Sequence, residues 1–554
     1  MMAIGRLFVS LVLAGLVVAG FITFDIHSAE AGCDPLALGP LHAMASAKNL
    51  YLIWEQDTWS ISNGMGNHTI YFKKSSDGGK TFGETINLST SGSICYTGAQ
   101  MVVAHNPRTG LDNVYVLWSA DGKMLLKASN NSGTTFGNTI VLGNGYLGYG
   151  PPSFLTYNAD IVTDSNNGVY VAWTYSEPQA NYAVEVFFTE STDGGRTFSG
   201  LARFSNTSAD YQDVQLAADG QNVYLTWSED TGCKNLVELS NCHTEVVFAK
   251  STDRGKSFGS PQVLAEGNST WNGGSVSKAV TDDTNNNRNA TGNNNNAPCA
   301  SIYCGLPNHP DIYSAGKNLY LTWQYSAGSI FFIHSSDNGT TFSPPVNITA
   351  SFTALNPTAY PWPPFLHAYS NILYLEGASI SNKTGITVYL LKSTDGGTNF
   401  QQTVIAIPNS SISYDNQLQP FQLTDGGMLY LTWTSSDNSK IQFEALKIEE
   451  NNQSSMSTNP SVIYSSSKGS FIDSWLISAA TDSGNVYVIS TNGSREIFLR
   501  ASDDYGNSFR EITNVQEIQN LPEFNSHLIQ LVMAGATVSV VGIGILAKRR
   551  FGYG

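Results

Sequence analysis

An all-β fold built from repeated four-stranded modules, a β-propeller, is what three features of this sequence predict. Charged residues make up only 13% of the 554 residues while Gly, Asn, Ser, Thr and Tyr are abundant, the profile of a β-rich chain with many turns. A strand pattern carrying a tyrosine recurs eight times, and a tight Gly-bearing turn recurs seven times. With 41% apolar residues the chain has ample material for a large core. A net charge of −16 and a pI near 4.9 oppose the phosphate attraction behind nucleic-acid and anionic-lipid binding, which leaves cations and neutral polymers as partners.

The chain opens as export machinery: Arg6, an apolar run over residues 7–24, then Ala29-Glu30-Ala31, whose small residues suit signal-peptidase cleavage after Ala31. An uncleaved anchor is the alternative, since the run approaches membrane-spanning length. Glu30 stands where a lipoprotein box wants an aliphatic residue, so Cys33 is not read as a lipidation site. The expected organisation is a signal peptide at 1–31, a lead-in at 32–40 and the propeller over 41–515.

Each module centres on a strand of the form apolar, Tyr, apolar, variable, Trp. Leu50-Tyr51-Leu52-Ile53-Trp54 heads a series that continues with copies ending at Trp118, Trp173, Trp227, Trp323 and Trp433. Two copies, around Tyr374 and Tyr487, lack the Trp. The tyrosines stand at 51, 115, 170, 224, 320, 374, 430 and 487, so the spacing is 64, 55, 54, 96, 54, 56 and 57, with a large insertion in one interval. The fifth unit is the clearest: Asp311-Ile312-Tyr313, a turn at Gly316-Lys317-Asn318, residues 319–323, Ile330-Phe331-Phe332-Ile333, a tight turn over 335–342, and Val346-Asn347-Ile348. Four antiparallel strands per unit match a propeller blade, and the apolar character of both faces of the second strand suits a sheet sandwiched between neighbours. Eight blades are expected; seven is the alternative, should residues 415–468, which lack the tight turn, pack elsewhere.

The tight turn before the fourth strand reads Ser75-Ser76-Asp77-Gly78-Gly79-Lys80-Thr81-Phe82 and recurs at 191–198, 251–258, 335–342, 393–400 and 502–509, with residues 129–136 carrying Asn131 in the Asp slot. This Ser-x-Asp-x-Gly-x-x-aromatic pattern resembles the Asp-box, or BNR repeat, of sialidase-like propellers, over some 440 residues. A hairpin turn needs a residue tolerant of positive φ, which the glycines supply, while the Asp carboxylate and Ser hydroxyl can bond turn amides. Asp77, Asn131, Asp193, Asp253, Asp337, Asp395 and Asp504 are therefore read as structural, with the closing Phe wedged into the blade interior.

The chain ends on a second apolar segment, residues 528–547, which at 1.5 Å per residue spans about 30 Å and is long enough to cross a bilayer. Lys548, Arg549 and Arg550 place the tail 548–554 in the cytoplasm and everything before the span outside, with residues 516–527 as a short stalk. Leu521-Pro522-Glu523-Phe524-Asn525, the span and the basic cluster together resemble the archaeal PEF-type C-terminal sorting signals, a family in which a sortase-like membrane enzyme removes the span. Asn525 stands where one subgroup has Gly. Six cysteines agree with export, and Cys233 with Cys242, Cys299 with Cys304, and Cys33 with Cys95 is the pairing preferred among the 15 connectivities. Sequons such as Asn67, Asn206, Asn347 and Asn492 permit glycosylation.

In a propeller the loops from second to third strands and from fourth strands to the next blade share one face, and the tight turns occupy the other. The long insertions, 228–243, 267–307 and the Gly/Tyr-rich 143–157, fall on the first of these faces, which is expected to be the working one. Asp160, Asp213 and Asp311 begin inner strands there, and Glu55, Asp121, Glu177, Glu229 and Asp230 follow second strands. Tyr146, Tyr149, Trp271, Tyr303 and Trp362 belong to the same loops. Carboxylates beside aromatic rings suit sugar stacking with hydroxyl hydrogen bonds, or a cation site; the plainer alternative is that each Asp caps a turn and each ring packs its own loop.

The family resemblance implies a sialidase, with an arginine triad gripping the substrate carboxylate, a Tyr nucleophile activated by Glu and an Asp acid/base. Outside the Asp-box turns and the termini only Arg108, Arg203, Arg288, Arg495, Arg500 and Arg510 remain, none of them starting an inner strand, and the Arg-Ile-Pro motif of the family is absent. Arg108 follows Asn106-Pro107 in a turn and Arg288 lies in a low-complexity loop, neither held firmly enough to clamp a ligand. Another glycosidase could work through two carboxylates such as Asp213 and Asp311, were they about 5 to 10 Å apart. His42, His309 and His367 fall near inner strands without a supporting ligand cluster, so no metal site is assigned and no cofactor is required, a structural calcium ion excepted. The reading that results is a monomeric, surface-anchored propeller that recognises glycans or surface polymers, with an exo-acting glycoside hydrolase as the alternative.

Overall fold

The computed structural model describes residues 38–517 apart from 61–64, 92–98, 121, 146–147, 151–154, 158, 177–183, 205–212, 232–242, 269–306, 326–328, 349–364, 370–371, 382–384, 408–421, 424–427, 435–438, 448–460, 466–477, 492–495 and 512. The signal peptide, residues 518–527 of the stalk, the C-terminal span and the basic tail expected from the sequence, and all six cysteines, lie outside the described residues; the last strand, Thr513–Glu517, takes in the first two residues of the expected stalk. No helix among the described residues is long and apolar enough to cross a membrane.

Every regular element described is a strand. Eight antiparallel four-stranded sheets follow one another along the described chain: residues 38–91, 100–144, 159–203, 214–268, 307–347, 365–407, 422–465 and 478–517, numbered sheets 1 to 8 below. A small hairpin of Gly148–Gly150 and Leu155–Tyr157 sits between sheets 2 and 3. Within each sheet the strands are ordered as in the sequence, and the fifth unit runs Pro307–Ala315, Asn318–Tyr325, Ile330–Ser335 and Val346–Asn347, close to its expected bounds. The first strands of sheets 7, 8, 1, 2, 3, 4, 5 and 6 lie side by side in that order. Successive sheets in this series pack face to face, an arrangement consistent with propeller blades.

The alternation of the second strand builds this arrangement. Leu50, Leu52 and Trp54 of sheet 1 pack against Tyr487, Ile489 and Leu499 of sheet 8, while Tyr51 and Ile53 pack against Val114, Val116 and Trp118 of sheet 2. Sheets 2 and 3 repeat the pattern, Trp173 facing sheet 2 and Tyr170 facing sheet 4. Successive residues of a strand point to opposite faces, so an uninterrupted apolar run serves two interfaces at once. Each fully buried Val, Leu or Phe contributes about 1.5–3 kcal/mol of transfer free energy, and seven such inter-sheet clusters are present among the described residues.

The meeting of the first and last sheets, left undetermined by the sequence, uses no shared strand. Sheet 1 takes its four strands from residues 38–91 and sheet 8 from 478–517, and the two meet through side chains. Lys73 Nζ donates to Val515 O at 2.6 Å, Arg510 Nη2 to Gly78 O, and Ala47 N to Asp482 Oδ2. The unit lacking an Asp-box does not pack apart: Tyr430, Ile441 and Phe443 of sheet 7 share a cluster with Val486, Val488 and Phe498 of sheet 8.

Candidate functional site

Two faces are defined by hydrogen bonds. In six of the seven Asp-boxes the tight turn is seen tied to the turn end of the hairpin of the first two strands in its own sheet, as in Gly78 N to Lys48 O and Asn338 N to Lys317 O, both 2.9 Å. The other face holds the junctions of second with third strands. In sheet 4 His243, at the start of the third strand, pairs with Thr231 and Asn268, so segments 232–242 and 269–306 both leave from that face.

The Asp-box carboxylates are consumed by their own turns. Asp77 Oδ1 accepts Lys80 N, Thr81 N and Ser75 Oγ, and its Oδ2 accepts Thr81 Oγ1. Burial pushes its pKa up, the largest single influence, but the four bonds together outweigh it and hold the pKa at about 2, and Asp193, Asp253 and Asp395 are likewise held near 2. Asp337 and Asp504 are lowered for the same reason. Asn131 closes the same turn with reversed polarity, its Nδ2 donating to Thr135 Oγ1 at 2.8 Å. The closing Phe enters the interface between its own blade and the preceding one, packed against buried residues of both. Phe136, Phe258, Phe342, Phe400 and Phe509 each meet edge-on a Phe of the preceding sheet, with centroids 4.8–5.2 Å apart. The turn glycine explains this: at Gly195 φ is +75° and an added Cβ would lie 2.7 Å from the Tyr115 ring, so the turn sits hard against the neighbouring blade and carries its aromatic there.

Asp160 and Asp311 occupy corresponding positions in the first strands of sheets 3 and 5, opposite Ala172 and Thr322. Ala159 and Ile161 face sheet 2 and Ile312 faces sheet 4, so Asp160 and Asp311 lie on the opposite side of their strands, toward the sheet that follows. Each reaches the next inner strand: Asp160 Oδ2 accepts Leu216 N at 2.7 Å, and Asp311 Oδ2 accepts Leu366 N at 2.9 Å while its Oδ1 accepts Ile312 N at 2.9 Å. Glu55 Oε1 does the same for Ala99 N at 2.6 Å, and Gln100 Nε2 donates to Ala159 O at 2.9 Å. The physical need is plain, since an inner strand is a sheet edge whose outward amides have no ladder partner. Burial pushes the pKa of Asp160 and Asp311 up to about 6, against the lowering effect of these bonds, and the Asp311 charge raises Asp160 further. His42, at the matching position of sheet 1, is pushed below its ordinary value by burial, with Glu55 acting the other way.

Asp213 lies just before the first strand of sheet 4, its N donating to Ser228 Oγ at 3.2 Å and its O accepting Ser228 N at 3.1 Å. Glu229 accepts Trp227 Nε1 at 2.9 Å, and burial raises its pKa, helped by the charge of Glu245. Asp230 is in register with Thr244, and Tyr149 lies in the small hairpin paired with Thr156. Glu177, Tyr146, Trp271, Tyr303 and Trp362 lie outside the described residues, as do the side chains of His309 and His367. Among the described residues no arginine belongs to a first strand.

A cluster that sequence reading missed stands at the same edge of sheet 4. His243, Glu245 and Glu266 bring their donor atoms within 4.8 Å of one another, His243 Nε2 being 3.0 Å from Glu245 Oε1 and 3.6 Å from Glu266 Oε2. Glu229, Glu245 and Glu266 are directly opposite one another on three adjacent strands, a row of like charges that favours a cation among them. A nitrogen donor beside carboxylates suits zinc or manganese better than the all-oxygen shell of calcium. His-x-Glu on a third strand was the available signal, but Glu266 enters only through the fourth.

No family model matches this sequence, and no curated protein matches it. Among solved structures, an ulvan lyase of a polysaccharide lyase family, bound to -[GlcA(1-4)Rha3S]-, is 10% identical, covering 71% of this chain and 90% of its own at a TM-score of 0.42. The leech intramolecular trans-sialidase complexed with 2,7-anhydro-Neu5Ac is 11% identical over 82% of this chain and 89% of its own, TM-score 0.33. The Penicillium chrysogenum α-L-arabinanase complexed with arabinobiose is 12% identical over 65% and 95%, TM-score 0.34. These are distant likenesses.

Proposed function

We propose that this chain is an eight-bladed propeller displayed outside the cell that recognises carbohydrate through the face opposite the Asp-box turns, without hydrolysing it. Residues 1–31 direct export in this reading, residues 528–547 anchor the chain, the six cysteines form the three disulfides preferred above, and no cofactor is required, a structural calcium ion excepted. Glu229, Asp230 and the aromatic residues of the adjoining loops supply the sugar contacts. The observation that carries the reading is the engagement of Asp160 and Asp311: carboxylates that accept the backbone amides of the next blade are committed to holding edge strands together. A general acid must instead aim a protonated oxygen at the leaving group.

A second reading, a glycoside hydrolase, is favoured by the same pair's pKa near 6, since tuned carboxylates are what acid/base catalysis uses. Both are tested by presenting the full-length chain in detergent to a glycan array and then to a panel of fluorogenic glycosides. Binding to a restricted glycan set without turnover is expected, weakened about tenfold or more by Glu229→Gln. Turnover that disappears in Asp311→Asn would establish the hydrolase instead.

A further inference from the structure

Three arginines converge on the face that the reading above leaves without a role. Arg108, in the turn between the first two strands of sheet 2, Arg196, in the Asp-box of sheet 3, and Arg254, in the Asp-box of sheet 4, line one cavity of about 540 Å³. They are three of the eleven arginines in a chain of net charge −16, and three different blades supply them.

The charges in this cavity are not all spoken for. Arg254 is the anchored member: its Nη2 donates to Asp164 Oδ2 at 3.2 Å and to Asn166 O at 3.1 Å, while its buried Nε has no partner among the described residues. Asp164 lies beneath it, 1% exposed, and also accepts Tyr170 OH. Arg196 gives one bond to Asp193 O at 3.2 Å. The Asp193 carboxylate, which also lines the cavity, is turned to its own hairpin, accepting Arg196 N, Thr197 N and Ser191 Oγ. No protein partner is described for the Arg108 guanidinium. Between the arginines the wall is made of amides and a hydroxyl, including Asn167, held by Asn113 Nδ2 at 3.2 Å, and Gln221.

The geometry points to a second binding site here, on the Asp-box face, for a monosaccharide-sized oxyanion: a sugar unit bearing a carboxylate or a sulfate. Guanidinium forks match planar or tetrahedral oxyanions in bidentate fashion, and neutral amide and hydroxyl groups beside them suit sugar hydroxyls. The volume lies within the range of small-ligand sites, well beyond what a bare inorganic ion needs. This site shares no residue with the opposite face, so it stands or falls independently of the recognition reading.

Calorimetric titration of the full-length chain in detergent with glucuronate, galactose 6-sulfate, inorganic sulfate and uncharged galactose tests it. At least one acidic sugar should bind, more weakly as salt rises, with galactose silent and sulfate weaker by about tenfold or more. Whichever acidic sugar binds tighter identifies the oxyanion. Arg108→Ala and Arg196→Ala, both at exposed positions, should each weaken binding about tenfold while leaving the melting temperature unchanged, and Arg203→Ala, paired with Glu185 elsewhere, should have no effect. Failure of both acidic sugars to bind, or binding indifferent to Arg108→Ala and Arg196→Ala, overturns the site. Inorganic sulfate binding as tightly as the sugars would overturn the saccharide assignment.

Discussion

Asp160 and Asp311 show how one side chain can serve an edge strand at an electrostatic cost. Each stays near pKa 6 because burial penalises its charge more than two backbone amides reward it. In the unfolded chain the same carboxyls titrate near 3.8, so the folded state binds more protons between about pH 4 and 6. The contribution to stability is complete below about pH 4 and is lost as pH rises through 6, on the order of 2 kcal/mol per group. His42 works in reverse, its lowered pKa costing stability as pH falls below 6.5, so total stability mixes the two. Subtracting a variant separates them. In urea denaturation between pH 4.5 and 7.5, the stability of the wild type relative to Asp160→Asn should fall steadily with rising pH; parallel profiles would remove the pKa argument.

The Asp-box hairpin is an element whose internal bonds and external contacts are made by different residues. Asp77 and Ser75 close the turn, with Gly79 N donating to Ser75 Oγ at 2.8 Å, while the glycine's bare surface and the closing Phe face the neighbouring sheet. Asp77→Ala should therefore loosen the turn without opening the blade. By hydrogen exchange the amides of Lys80 and Thr81, which bond Asp77, should exchange about tenfold faster, whereas those of Leu50 and Leu52 in the second strand stay protected. Because the carboxylate is held near 2, the turn's share of stability is present above about pH 4 and disappears only as pH falls toward 2, opposite in sign to Asp160 and Asp311.

The junction between the first and last sheets rests on ordinary packing. Leu499 is fully buried in that junction, and Leu225 holds a corresponding buried place between sheets 3 and 4. Leu499→Ala and Leu225→Ala should each cost about 2–5 kcal/mol in urea denaturation and agree within about 1 kcal/mol, since both leave a cavity between two sheets. A much smaller cost for Leu499→Ala would mean that this junction is sprung. The cationic cavity bridging sheets 2, 3 and 4 is also a property of this scale, because no single blade contains it.

The blades themselves were legible without coordinates. Tyr, Trp and apolar residues alternating on second strands, at spacings near 55, carry their own instruction: a strand apolar on both faces must lie between two sheets. The Asp-box turns were equally readable, being local patterns whose bonds span two to four residues. Contacts made between blades were not. Asp160 reaches Leu216 across 56 positions, and Arg108 and Arg254, 146 positions apart, line one cavity, separations over which a linear pattern holds no information about approach. Sequence alone therefore fixed what each module is, since secondary structure and turn chemistry are local; tertiary structure alone decided which modules touch, and with them the role of each inner-strand carboxylate and the gathering of arginines on one face.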